Sequence, residues 1–291
     1  MKFIKDIVNY KMLIQYDGGR YYGWEHQPNT DMTIQGKLEA VLTRMLRLEN
    51  EMGESDFLGE VITGVGDSLV EVIGAGRTDA GVHALGMTAN VKMNTKKTEE
   101  EIVEYMNHYL PEDIVILKIE RTSDRFHARY NACGKIYRYR LYKGNKKPLF
   151  NRKYVYDIRN NDIMPGKANR SGNGILDIDK MREAAGLLLG KHDFASFCGN
   201  PKMKKSTVRE IYSIKIEESM DGDYLDMIYH GTGFLQYMVR ILSGTLIEVG
   251  KGNIKPQDIN RILEAKNRVE AGPTAPAQGL TLLKVEYLEG F

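Results

Sequence analysis

The chain has 291 residues, of which 42% are apolar and 27% charged, ordinary globular usage that excludes a disordered or fibrous polypeptide. That length suggests about two domains, each large enough to bury a real core. The formal net charge is only +2, no apolar run nears the ~18 residues of a membrane span, and Asp6 and Asn9 interrupt any secretory apolar stretch at the start.

Hydrophobic periodicity predicts a strand over 10–17 and a helix over 33–48. Strands follow over 69–74 and 87–93, then a helix over 98–110 and a strand over 114–120. The first helix repeats Ile34, Leu38, Val41, Leu42, Met45 and Leu46 at a 3.6-residue period. The second opens on Thr98 with Glu101 three positions later, a capping box. The second half reads as a strand over 135–143, a helix over 179–189 and strands over 207–217 and 223–230. Helices over 234–249 and 256–265 and a strand over 281–287 complete it. With the extra helix set aside, each half has the order βαββαβ, the ferredoxin-like split unit used twice. The expected fold class is therefore α+β, with domains 1–122 and 123–291. Two stretches read as insertions: 49–68, acidic and glycine-bearing, and 159–176, rich in turn formers.

Charge is segregated along the chain. Between 121 and 143, Arg121, Arg125, Arg129, Lys135, Arg138, Arg140 and Lys143 face the single acid Asp124. Phe126, Tyr130, Tyr137, Tyr139 and Tyr142 lie among them. Lys202, Lys204, Lys205 and Arg209 form a second acid-free cluster. Cations for phosphates and flat rings for bases are what a nucleic-acid surface requires. An exposed strand with a solvated face fits the same composition.

The densest motif runs Gly74-Ala75-Gly76-Arg77-Thr78-Asp79-Ala80-Gly81-Val82-His83-Ala84. Gly76 and Gly81 have the spacing of a phosphate loop, but Val82-His83 stands where Lys-Ser/Thr is required. A dinucleotide fingerprint needs glycine at 79 and a helix afterwards; here Asp79 is followed by a predicted strand. What the loop offers is one carboxylate among small residues that let a bulky ligand approach the backbone. Taken locally, an Asp bonding its own turn is the commoner fate.

The helix predicted over 234–249 is apolar nearly all round, yet it carries Gln236, Arg240, Ser243 and Gly244 as a polar stripe. An arginine there needs a partner or must snorkel to water. A carboxylate partner would itself be kept ionised. On the strand over 136–143, Tyr137 and Tyr139 share one face and Arg138 and Arg140 the other. The six histidines show no metal spacing. Two cysteines, Cys133 and Cys198, give neither a disulfide framework nor a CxxC knuckle and suit a reducing cytosol.

Several motifs together resemble one family, tRNA pseudouridine synthase I of the TruA type. They are Tyr16-Asp17-Gly18-Gly19-Arg20-Tyr21-Tyr22-Gly23-Trp24, Thr33-Ile34-Gln35-Gly36, the 74–84 loop and Phe126-His127-Ala128-Arg129. Tyr137-Arg138-Tyr139, His192-Asp193-Phe194, Gly233-Phe234-Leu235 with Arg240, and Gly279-Leu280 follow in order. The resemblance implies two ferredoxin-like halves whose antiparallel sheets join around a central basic cleft. It implies isomerisation of uridine to pseudouridine in the anticodon stem-loop of tRNA, no cofactor, and a homodimer; the histidine and cysteine usage above suits a cytoplasmic protein without a metal. Asp79 would be the catalytic carboxylate and Arg77 would fill the space of the flipped nucleotide. Tyr137 would stack on the uracil, and Arg240 would pair with Asp79. Arg129, Lys202, Lys204, Lys205 and His83 are expected to contact RNA.

The chain departs from the family's pattern at Glu25, where glutamine is usual after the tryptophan, at Gln236-Tyr237, and in the two insertions. A paralogue acting on another RNA position, and a non-catalytic RNA-binding protein, are therefore weighed beside the leading assignment. A glycosidase would need two cooperating carboxylates, and the sequence offers one convincing candidate.

Overall fold

A computed structural model describes residues 7–51, 69–161, 176–200 and 202–288. Most of the two insertions, 52–68 and 162–175, lies outside the described residues. The chain divides into two compact units. One holds the chain through Cys133 and takes it back from Leu282; the other is Gly134–Thr281.

The first unit contains β1 (Val8–Tyr16), α1 (Ile34–Glu51), β2 (Val72–Gly74), β3 (His83–Met93), α2 (Glu99–Tyr109) and β4 (Ile114–Arg121). This is the predicted βαββαβ order. β1 pairs antiparallel with β3 and β4, and β2 pairs with β3 from Val72↔Val91 to Gly74↔Ala89. The order β4-β1-β3-β2 is that of a split βαβ sheet. Alternation buries Tyr10, Met12, Ile14 and Tyr16 of β1, and the helical stripe of α1 is buried from Ile34 to Leu46. The Thr98 capping box forms as the sequence predicts. One anchor was not legible. Buried Glu39 of α1 accepts from Val72 N at 2.8 Å and fixes the start of β2.

The second unit begins with most of β5 (Ala132–Tyr142) and adds the short β6 (Tyr156–Asp157), α3 (Ile178–Gly186) and β7 (Gly190–Asp193). β8 (Val208–Glu218), β9 (Tyr224–Gly231), α4 (Met238–Gly250) and α5 (Asp258–Ala265) follow. Its strands run β5-β9-β8-β7, all antiparallel, and β6 joins β5 in parallel. The last strand, β10 (Leu280–Tyr287), lies beside β3 from Leu282 onward in the first unit.

The helix expected over 234–249 starts four residues late, at Met238, because Tyr237 takes a left-handed conformation (φ 59°) that a helix cannot continue. α4 is buried on nearly every side, as its composition requires. Within its polar stripe, Ser243 donates to Val239 O at 2.8 Å, leaving its oxygen to accept from Tyr229 OH at 2.9 Å. Burial raises the Tyr229 phenol above its ordinary value. Gly244 admits the backbone of Pro273, whose carbonyl would stand 1.8 Å from a Cβ at this position. Backbone cannot step aside as a flexible side chain can. Gly244→Ala is therefore expected to destabilise the protein by roughly 1–3 kcal/mol, read as a lowered urea midpoint with an unchanged slope.

Candidate active site

Asp79 lies on the 75–82 loop between β2 and β3. The loop is pinned at three buried residues: Ala75, Thr78 and Val82 are 0%, 6% and 2% exposed. Ala75 N donates to Thr88 O at 2.8 Å, and Val82 N closes the turn on Asp79 O at 3.1 Å. Asp79 is half-buried between these anchors, and Arg77 is exposed.

The opposing wall is the segment that follows β1. Trp24 N donates to Thr78 O at 3.1 Å, Gly81 N donates to Tyr21 O at 3.2 Å, and the hydroxyls of Tyr16 and Thr78 meet at 2.9 Å. The glycines of both segments explain how two backbones come so close. A Cβ on Gly18 would meet Val82 O at 1.9 Å, one on Gly23 would meet Thr78 O at 2.6 Å, and one on Gly74 would enter the Trp24 indole at 2.5 Å. Gly23 also requires a φ of +100°. The start of α1 fixes the wall from behind. Ile34 N and Gln35 N, two of the donors a helix leaves unpaired, reach Gly23 O and Trp24 O at 3.1 and 2.9 Å.

Asp113 anchors the same segment. It accepts from Arg20 Nε at 2.7 Å and from Tyr21 OH at 2.5 Å. Burial pushes its carboxyl upward, but the bonds from Arg20 and Tyr21 outweigh that and hold it below the usual range.

Of the residues expected to act, Arg77, Asp79 and His83 share this loop and its exit strand. Arg77 forms an ion pair with Glu25, the position where the chain departs from the family pattern. The pair closes the seam beside the Trp24–Thr78 bond. His83 is buried, at 3% exposed, with Nδ1 3.1 Å from Gly18 N and 3.0 Å from Asp17 Oδ1. That nitrogen accepts from Gly18 when unprotonated and donates to Asp17 when protonated. The structure thus places His83 as a brace for the loop.

In the second unit, Tyr137 is 8% exposed and stands edge-on to Phe234, with ring centroids 5.4 Å apart. Its neighbour on the same face, Tyr139, is fully buried and donates to Pro276 O at 2.8 Å. Arg240 is half-buried on α4; its Nε donates to Ala275 O at 2.8 Å, and its guanidinium lies 5.1 Å from the Tyr237 ring centroid. Gly244, by admitting Pro273, brings Ala275 within reach of Arg240. Phe234 and Tyr237 thus place Tyr137 and Arg240 around one stretch, the entry to α4. Lys202, Lys204, Lys205 and Arg129 are all exposed. Among the described residues no group of three His, Cys, Asp or Glu is placed to hold a metal ion, and no helix is long and apolar enough to cross a membrane.

Sequence reasoning missed the supporting residues Thr78, Asp17, Asp113, Tyr237 and Ala275. The small residues of the 74–84 loop read as room for a bulky ligand; in the structure Gly74, with Gly18 and Gly23, instead lets two segments of the chain approach each other.

A family model described as tRNA pseudouridine synthase matches residues 12–131 and 184–288. The chain is 42% identical over 282 residues to tRNA pseudouridine synthase A of Bacillus sp. (strain KSM-64), covering 97% of this chain and 98% of that one. It is 40% identical to tRNA pseudouridine synthase A 2 of Bacillus anthracis and 40% identical to tRNA pseudouridine synthase A 1 of Clostridium tetani. Each of these comparisons covers 96% of this chain and 99% of the relative. With its split βαββαβ fold, its single carboxylate on a pinned small-residue loop and this full-length likeness, the chain belongs to the tRNA pseudouridine synthase family.

Proposed function

We propose that the chain isomerises uridine to pseudouridine in the anticodon stem-loop of tRNA, as a cytoplasmic homodimer that needs no cofactor. The carrying observation is the placement of Asp79. It is half-buried on a loop fixed on both sides by buried residues, with Arg77 two positions away. Rigid support of a reacting group is what positioning requires.

In the reaction the N1–C1′ bond breaks, the uracil turns, and C5 bonds to C1′ while its proton is lost and N1 gains one. Asp79 supplies the carboxylate that acts on the ribose. The target base must first leave its stack, which costs a few kcal/mol, offset by contacts in the pocket. Arg77 is assigned to the space the base vacates, Tyr137 to the face of the uracil, and Arg240 to keeping the reacting carboxylate ionised. Arg129 and the lysines at 202, 204 and 205 are assigned to phosphates. Free thiols at Cys133 and Cys198 suit a reducing compartment.

Asp79→Asn is expected to lower tritium release from C5-labelled tRNA by about 10³-fold or more, with tRNA binding within a few-fold of wild type. Full activity in that variant refutes the assignment. Wild type that binds tRNA but forms no pseudouridine makes the protein an RNA-binding module instead.

Arg77 must leave Glu25 to enter an RNA stack. An exposed pair of this kind contributes about 0.2–1 kcal/mol at low salt and less at high salt. Glu25→Gln is therefore expected to raise kcat/KM by up to about fivefold at low ionic strength, with the advantage vanishing above ~0.5 M salt. Rates of the two proteins across a salt series check this.

A further inference from the structure

The structure sorts the basic, aromatic stretch 121–143 into core and surface. Phe126, Tyr137, Tyr139 and Tyr142 are 2%, 8%, 0% and 2% exposed, whereas Tyr130 is 77% exposed. The cations divide in the same way. Arg121 pairs with Glu99, Arg140 with Asp226 and Lys143 with Glu218. Arg125 and Arg129 are exposed, and neither guanidinium has an ion-pair partner among the described residues.

A lone exposed tyrosine is ordinary; the turn beneath this one is not. Asn9 and Asn90 are 0% and 2% exposed and bond to each other at 3.1 Å. Asn9 Nδ2 donates to Ser123 O at 2.8 Å and to Phe126 O at 2.9 Å, and Asn90 Oδ1 accepts from Ala128 N at 2.8 Å. Tyr287 OH donates to Ala128 O at 2.7 Å. Phe126 packs edge-on against Tyr287 at 5.2 Å, with the Lys11 ammonium over both rings. His127 Nδ1 accepts from the backbone N–H groups of Arg129 and Tyr130 at 3.2 and 3.3 Å, so its ring is oriented. On that fixed imidazole lies the Tyr130 ring, 4.1 Å away and tilted by 34°. Burying two amides to hold a surface turn is costly unless every polar atom is matched. Here the matching produces a braced turn that carries an aromatic pair at its surface, with exposed Arg125 and Arg129 on the same turn.

We infer that Tyr130, backed by His127 and sharing its turn with exposed Arg125 and Arg129, is a stacking platform for an unpaired base of the RNA substrate. The inference rests on the tRNA reading above. A base has a flat face to match the ring, and its phosphates match the arginines. Pre-orientation of the ring by His127 lowers the ordering entropy of the contact. Tyr130 is a binding residue, not a catalytic one.

The test uses the full chain and a transcribed tRNA. Tyr130→Ala is expected to weaken tRNA binding about tenfold and to raise KM more than it lowers kcat; Tyr130→Phe, which keeps the ring, restores KM. The salt slope of binding stays unchanged in Tyr130→Ala but falls by about one in each of Arg125→Ala and Arg129→Ala. The sole native tryptophan, Trp24, is buried, so Tyr130→Trp adds a separable surface fluorophore. An RNA with an unpaired loop should quench it, and a blunt RNA duplex should not. A Kd for Tyr130→Ala equal to wild type, no quenching by the loop RNA, or equal quenching by the duplex overturns the platform. Wild type that binds tRNA without forming pseudouridine overturns the catalytic reading alone, because Kd and quenching read the platform directly.

Discussion

The seam between the segment after β1 and the 75–82 loop is the constraint on which the carboxylate's position depends. Three contacts, from Trp24 N, Gly81 N and the Tyr16 hydroxyl, tie backbones that lie more than fifty residues apart in sequence. Each is an ordinary hydrogen bond contributing about 1 kcal/mol. Their effect is geometric. They clamp Thr78 and Gly81 on either side of Asp79, so its backbone position is determined from both directions. Glycine at 18, 23 and 74 is the condition for that clamp, since a methyl group at any of them would collide with the opposite wall.

The second unit uses the same device on a helix. Gly244 lets the 273–275 backbone touch α4, and the carbonyl of Ala275 then meets Arg240 Nε. Ala275 N also returns a bond to Arg240 O at 3.1 Å. A guanidinium on a largely apolar helix is thus oriented by backbone. The left-handed Tyr237 that shortens α4 also puts its ring beside that guanidinium. The strain at Tyr237 and the position of Arg240 are parts of one local arrangement.

The basic stretch 121–143 shows how composition misleads when read without a fold. Along the sequence, cations and rings alternate as if all could serve RNA. In the strand β5, Tyr139 is wholly buried, Arg140 is neutralised by Asp226 from the neighbouring β9, and Tyr137, assigned above to the uracil, is 8% exposed. The exposed ring and the exposed arginines without an ion pair among the described residues are on the turn before the strand: Tyr130, Arg125 and Arg129. Side chains of a strand alternate, so one face is committed to the core; a turn carries no such alternation, and the surface candidate comes from the turn.

By itself the sequence determined the elements whose signals are local. The 3.6-residue stripe of α1, the Thr98 capping box, the βαββαβ order and the isolated carboxylate in a glycine-rich loop all depend on neighbours within a few positions. So did the motifs that place the chain in its family. Tertiary structure alone decided what each group meets: Glu25 with Arg77, Asp113 with Tyr21, Ala275 with Arg240, and the Asn9–Asn90 pair beneath Tyr130. It also placed His83 inside, as a brace. Those partners are separated by tens of residues, and no periodicity or spacing encodes them; they are fixed only when the hydrophobic faces close and the remaining polar atoms must find partners without water.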